Sequence, residues 1–302
     1  MQQFEVGFFS GSDRIAGLIR RPDGDAPAAG IVQGPGWLGL KDAKLYLRYH
    51  EALVEAGFAV LIFDYRGTGE SEGDPSLFSP QRQLEDINNA ITYLASRPDI
   101  QADRLGVFGS GGTGGGHAIV IAAHDSRVRA AVSQVPISNG RDWLKRMRRE
   151  YEWVEFLHRV EADRTQRVLT GEGLMVNPRE EIMVPTPERR QSTVKSDVDK
   201  KVQFEVPLAT AFEIMAYRPI DAAPMARNLL VIAVENDSVT PTDHAIAVYD
   251  AAPAPKKLLL QHETTHYRAY EQYGSEIAGE IVAWFQHHLD TQGISTREDP
   301  RE

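Results

Sequence analysis

Apolar positions along the chain fall into two patterns. Short unbroken apolar runs recur at Ala29–Gln33, Phe58–Phe63, Leu105–Phe108, Arg129–Val135, Leu229–Val234 and Lys257–Leu260. Between them lie stretches with helical spacing. Leu45, Tyr49, Ala52 and Leu53 mark a helix over Leu45–Ala56 that Gly57 stops, and Leu84, Ile87, Ile91 and Leu94 mark one over Gln83–Ser96. Further helices are predicted at Ala118–Ala123, Asp243–Tyr249 and Glu276–Leu289. Phe4–Phe9 and Arg14–Arg20 read as a hairpin around the turn residues Ser10-Gly11-Ser12-Asp13. Strands alternating with helices predict an α/β fold, a mostly parallel central sheet with helices on both faces.

The rhythm breaks between residues 137 and 217. This stretch holds the basic run Lys145-Arg146-Met147-Arg148-Arg149, then Trp153, Phe156 and Leu157, then the charged segment Glu188–Lys201. It reads as a helical cap inserted between two sheet strands, dividing the chain into a core of residues 1–136 and 218–290, a cap of 137–217 and a polar, flexible tail of 291–302. An insertion at the carboxyl edge of a parallel sheet lies where such sheets bind ligands. The basic run has acidic neighbours and fits a solvated helix face.

Composition narrows the function. A net charge of −10 argues against a nucleic-acid partner, because phosphate binding needs a basic surface. The absence of cysteine excludes disulfides, zinc–thiolate sites and a cysteine nucleophile. No apolar run reaches the roughly 20 residues of a membrane span. The start, Met1-Gln2-Gln3-Phe4-Glu5, lacks the pattern of a signal peptide, so a cytoplasmic location is expected. These features argue against nucleic-acid and membrane partners and leave self-association open.

Three motifs follow one another: Gln33-Gly34-Pro35-Gly36-Trp37-Leu38-Gly39, Phe63-Asp64-Tyr65-Arg66-Gly67-Thr68-Gly69, and a corner from Arg104 to His117 with seven glycines between Gly106 and Gly116. Together they resemble the α/β-hydrolase fold, and within it the dienelactone-hydrolase-like, cocaine-esterase and X-prolyl-peptidase-like branch. The resemblance implies a hydrolase of a small ester, lactone, amide or activated carbonyl, with no cofactor and no metal. It places one oxyanion donor after a His-Gly pair. Here that pair is Pro35-Gly36, so the donor would be the Trp37 amide, with a second amide at Gly111. It maps the orienting acid to Asp237, with Glu235 competing, and the general base to His266, with His262 nearer the strand end. The i, i+4 spacing of His262 and His266 lacks a third ligand for zinc. Tyr65, Trp143, Trp153 and Tyr217 are candidate aromatic walls of a substrate pocket.

The nucleophile is the exception. The elbow pattern small-x-nucleophile-x-Gly lands on Gly111 when counted from the strand and on Gly112 when counted from the helix. Ser110 comes one residue early and is the leading candidate for a Ser-His-Asp site, while Thr113 fits the pattern two residues late. With neither, His266 and Asp237 form a cofactor-free general-base dyad that activates water, hydrolyses a C–C or ring bond, or abstracts a proton, without an acyl-enzyme. The run Gly109-Ser110-Gly111-Gly112-Thr113-Gly114 also matches G-x-G-x-x-G, the basis of a remote reading as a nucleotide- or anion-binding loop.

Overall fold

The computed structural model describes residues 1–194, 196–199, 201 and 205–289. The first six strands are β1 (Gln2–Ser10), β2 (Asp13–Arg21), β3 (Ala28–Gly34), β4 (Ala59–Phe63), β5 (Ile100–Ser110) and β6 (Val128–Gln134). A two-residue ladder in the insertion supplies β7 (Met175–Val176) and β8 (Val206–Pro207), and β9 (Leu229–Val234) and β10 (Lys256–Gln261) complete the set. Among the described residues the main sheet has eight strands in the order β1-β2-β4-β3-β5-β6-β9-β10. β1 and β2 form the antiparallel hairpin and β2 runs antiparallel to β4, whereas the pairs from β4 to β10 are parallel.

Because side chains alternate along a strand, adjacent apolar residues feed two cores. Ile31, Phe108 and Ile232 pack with Tyr49 and Leu53 of α1 (Leu47–Glu55) and Phe285 of α12 (Gly274–Leu289). Their neighbours Val32, Val107 and Val231 pack on the opposite face with Ile87 of α2 (Pro80–Ala95), Ile119 of α3 (Gly112–His124) and Val248 of α10 (Thr242–Ala251). Double-sided burial explains why these strands read as unbroken apolar runs.

Between β6 and β9 the chain forms α4 (Gly140–Arg146), α5 (Glu150–Thr170), α6 (Pro187–Gln191), α7 (Ser196–Asp199), α8 (Thr210–Ala216) and α9 (Pro219–Ala222). Glu152 closes a capping interaction at the start of α5, and Gly171 ends it in a left-handed conformation (φ 79°). Trp143, Trp153, Phe156 and Ile214 of this insertion belong to the same apolar cluster as α2 and α3. The short helix α11 (Arg268–Gln272) follows β10. No described helix is long and apolar enough to cross a membrane. The tail expected at residues 291–302 lies outside the described residues.

Candidate active site

The elbow forms where β5 runs into α3. Ser110 is the last strand residue, Gly111 stands between strand and helix with φ 83° and ψ 163°, and Gly112 opens the helix. That backbone conformation is nearly confined to glycine. The turn can be this tight because α3 presses on the strand: a Cβ at Gly109 would lie 1.9 Å from the Gly114 carbonyl oxygen. Close helix-on-strand packing thus accounts for part of the glycine run without a nucleotide.

In the small-x-nucleophile register, the residue at the turn is Gly111. The nucleophile's place therefore carries no side chain. A Cβ there would meet only Gly36 Cα, at 3.4 Å, within 4 Å. Ser110 does not fill the gap. Its hydroxyl donates to Gln134 Oε1 (2.9 Å) and lies 3.1 Å from the Tyr270 hydroxyl. Gln134 donates in turn to the Tyr49 hydroxyl (3.2 Å), which leaves its Oε1 as the acceptor for Ser110. Ser110 is fully buried, its hydroxyl joins β5 to β6 and α11, and among the described residues it makes no hydrogen bond to His266. Strand alternation turns the hydroxyl of Ser110, the leading nucleophile candidate, into this packed polar cluster.

The loop after β3 faces the elbow, and its polar groups are held one by one. Tyr65 donates to the Pro35 carbonyl (2.9 Å), the Gly36 N–H donates to the Tyr46 hydroxyl (3.2 Å), and Gln83 Nε2 donates to the Trp37 carbonyl (3.2 Å). Asp64 accepts from the amides of Lys41 (2.7 Å) and Glu70 (3.0 Å), tying the second motif to the same loop. Among the described residues the Trp37 amide has no hydrogen-bond acceptor. The first amides of α3, beginning with Gly112, lack intrahelical acceptors by construction. Gly111 was the expected second donor; with Gly111 itself at the turn, the next amide along the chain is that of Gly112.

Asp237 and His266, the expected acid and base, follow the ends of β9 and β10. Asp237 Oδ1 accepts from the amides of Val239 (2.7 Å) and Thr240 (2.9 Å), a tight turn that fixes the carboxylate. Its Oδ2 accepts from Thr240 Oγ1 (3.0 Å) and from His266 Nδ1 (2.7 Å). Burial alone would raise the Asp237 pKa. The facing His266 charge, the His266 hydrogen bond and the Thr240 and Val239 amides outweigh it, so the carboxyl sits below its ordinary value. With Nδ1 donating to Asp237, Nε2 of His266 is the basic nitrogen. The competing residues pair with each other instead, His262 Nδ1 lying 3.0 Å from Glu235 Oε2 at the surface.

A cavity of about 810 Å³ unites these parts. Trp37, Gly111, Gly112, Thr113 and His266 line its floor, and Trp143, Met147, Arg179, Met183 and Arg189 of the insertion line its roof. The Trp143 indole donates to the Val239 carbonyl (2.8 Å), fastening the roof to the Asp237 turn. Of the four aromatic residues expected to wall the pocket, Trp143 lines it. Tyr65 lies under the Pro35 loop, Trp153 packs against Phe156 and Arg141 within the insertion, and the Tyr217 hydroxyl bonds His117 Nδ1 (2.8 Å). These three are wall candidates that the packing assigns elsewhere. Thr113 is buried and lines the cavity, and its hydroxyl has no hydrogen-bond partner among the described residues.

Sequence reasoning missed Thr240, Gln83 and the insertion's Arg179, Met183 and Arg189. The Asp-x-x-Thr spacing after β9 signals the turn that places Thr240; nothing comparable marks the roof residues.

The sheet order, the elbow and the acid–base pair define an α/β-hydrolase, a hydrolytic enzyme. The family model of X-Pro dipeptidyl-peptidase (S15 family) matches residues 10–268, and the chain belongs to that family. An uncharacterized 31.7 kDa protein from the traX-finO intergenic region of Escherichia coli is 30% identical over 293 residues, covering 92% of this chain and 97% of the relative. The thiohydrolase aneE of Aspergillus aculeatus is 35% identical over 115 residues, 38% of this chain and 36% of its own. The α/β hydrolase GrgF from Penicillium sp. sh18 superposes with a TM-score of 0.77 at 19% identity, over 96% of this chain and all of its own.

Proposed function

We propose that this hydrolase activates water directly on His266 and cleaves a small ester, lactone, amide or activated carbonyl without an acyl-enzyme. The observation that carries this reading is Gly111 at the elbow, opposite an intact acid–base pair and a two-amide donor site. A water molecule in the space left by the missing side chain gives its proton to His266 Nε2 as its oxygen attacks the carbonyl carbon. The carbonyl becomes an oxyanion held by the Trp37 and Gly112 amides. Asp237 stabilises the imidazolium that forms. Collapse breaks the bond to the leaving group, which takes the proton back from Nε2, leaving an acid and an alcohol, amine or thiol. The name of the thiohydrolase relative agrees with hydrolytic chemistry.

A second reading keeps Thr113 as nucleophile, because its buried hydroxyl is unpartnered and lines the cavity. Both readings are tested by treating the protein with a fluorophosphonate, weighing it intact, and following p-nitrophenyl acetate hydrolysis in variants. Direct water attack gives no adduct, activity in Ser110→Ala and Thr113→Val close to that of the parent, and loss in His266→Ala. A stoichiometric adduct that Thr113→Val abolishes establishes the threonine instead.

A further inference from the structure

A directed chain of buried hydrogen bonds runs from the insertion to the oxyanion loop. Gln83 Nε2 donates to the Trp37 carbonyl, so Oε1 is its accepting end. That oxygen lies 3.0 Å from His117 Nε2, which must then carry the proton. His117 Nδ1 is left as an acceptor, and the Tyr217 hydroxyl at 2.8 Å donates to it. Every link has one polarity: Tyr217 to His117 to Gln83 to Trp37. All three side chains are buried, and burial pushes the His117 pKa down to about 3, so the neutral tautomer persists across the ordinary pH range.

The three residues sit on separate elements. Gln83 is on α2, His117 is on α3 five residues beyond Gly112, and Tyr217 caps the end of α8 in the insertion. The Tyr217 carbonyl accepts from the Gly140 amide (2.9 Å) at the start of α4, the helix that carries Trp143 into the cavity roof. The roof and the Trp37 loop are therefore joined through bonds that bypass the cavity. At the Trp37 end, the peptide that carries the Trp37 N–H is tied through its Gly36 carbonyl to the Gly39 amide (2.8 Å), the Leu38 carbonyl accepts from Arg179 (2.9 Å), and Gln83 holds the Trp37 carbonyl on the adjoining peptide, whose tilt swings the Trp37 N–H.

We propose that Gln83, His117 and Tyr217 are positioning residues that set the direction of the Trp37 amide and make it depend on how the insertion is seated. The proposal rests on the reading of that amide as an oxyanion donor. None of the three is a catalytic residue: none lines the cavity. The effect would fall on the transition state, in which the oxyanion exists, more than on substrate binding.

The chain has four tryptophans, so protein labelled with ¹⁵N-tryptophan gives a short set of backbone and indole signals. Trp37→Phe assigns the relevant pair, and Trp284, whose indole bonds Asn228 on a distant surface, is the internal standard. In Tyr217→Phe, which keeps the ring and removes the donor, the Trp37 amide signal shifts while that of Trp284 stays. On p-nitrophenyl acetate, Tyr217→Phe and Gln83→Met lower kcat about tenfold with KM within twofold, less than the roughly 10²-fold loss of a whole oxyanion donor. An unmoved Trp37 signal in Tyr217→Phe, or a fall in kcat/KM carried by KM, overturns the proposal. Activity retained by His266→Ala overturns the water-activation reading instead, and the Trp37 signal still decides whether the chain sets the loop.

Discussion

Two histidine–carboxylate pairs join the ends of β9 and β10, and they differ in almost everything but their atoms. His266–Asp237 closes at 2.7 Å with side chains 4% and 1% exposed, while His262–Glu235 closes at 3.0 Å with 59% and 44% exposed. The buried pair has a carboxylate fixed by two amides and a hydroxyl and a free nitrogen within a cavity. The exposed pair is shared with solvent, where such contacts contribute at most about 1 kcal/mol. Proximity of an imidazole to a carboxylate is thus not a site. The second restraint on the carboxylate, and the exclusion of water from all but one nitrogen, make it one.

The contrast is broken most directly at the base. His266→Ala should lower p-nitrophenyl acetate hydrolysis about 10³-fold, within the range of general-base losses. Asp237→Asn should cost about 10²-fold in kcat, because the amide can favour the wrong tautomer of His266 while leaving the ring in place. Gly111→Ser sharpens the comparison from the other side of the cavity. With a hydroxyl beside the existing base, pre-steady-state hydrolysis should show a burst of p-nitrophenol and the protein should gain a fluorophosphonate adduct. The left-handed backbone at residue 111 should exact about 1–3 kcal/mol of stability, read as a melting point lower by several degrees.

A third kind of histidine has no carboxylate at all. His50 and His117 are buried, and desolvation pushes both down to about 3, with Arg20 adding to the effect at His50. Their folded values lie below the ordinary 6.5, so the unfolded chain binds the extra protons. Their contribution is complete above pH 6.5 and is lost as pH falls toward 3, each by about 1.4 kcal/mol per pH unit. Denaturant unfolding between pH 6.5 and 4.5 should therefore show a falling stability whose slope His117→Gln makes shallower. Smallest of all, His262→Ala should leave ester hydrolysis within twofold of the parent.

Much of the fold was legible because burial on both faces makes the central strands continuous apolar runs, and Gly57 marks a helix end in local chemistry, whereas the start of α2 lies at Pro80, three residues before the expected Gln83. Asp237 and His266 were singled out by the family resemblance, which places each in a short loop after a recognisable strand. The direction of the Ser110 side chain was not legible. On a strand buried on both sides there is no polar alternation to say which face a serine takes, and the partners that decide it, Gln134 and Tyr270, lie 24 and 160 residues away. The roof of the cavity was illegible because its residues come from short turns, such as Pro178–Ile182 and α6, whose placement depends on packing rather than pattern.

The glycines at 109 and 111, two residues apart and chemically the same, answer to different demands. At 109 there is no room for even one carbon, so replacement there should damage folding before chemistry is touched. At 111 there is room, and only the backbone angle objects, a strain that nucleophile-bearing elbows of this architecture tolerate. Crowding therefore does not explain the bare position, and a saturation library at residue 111 would ask directly which catalytic repertoire the scaffold gives up by leaving it empty.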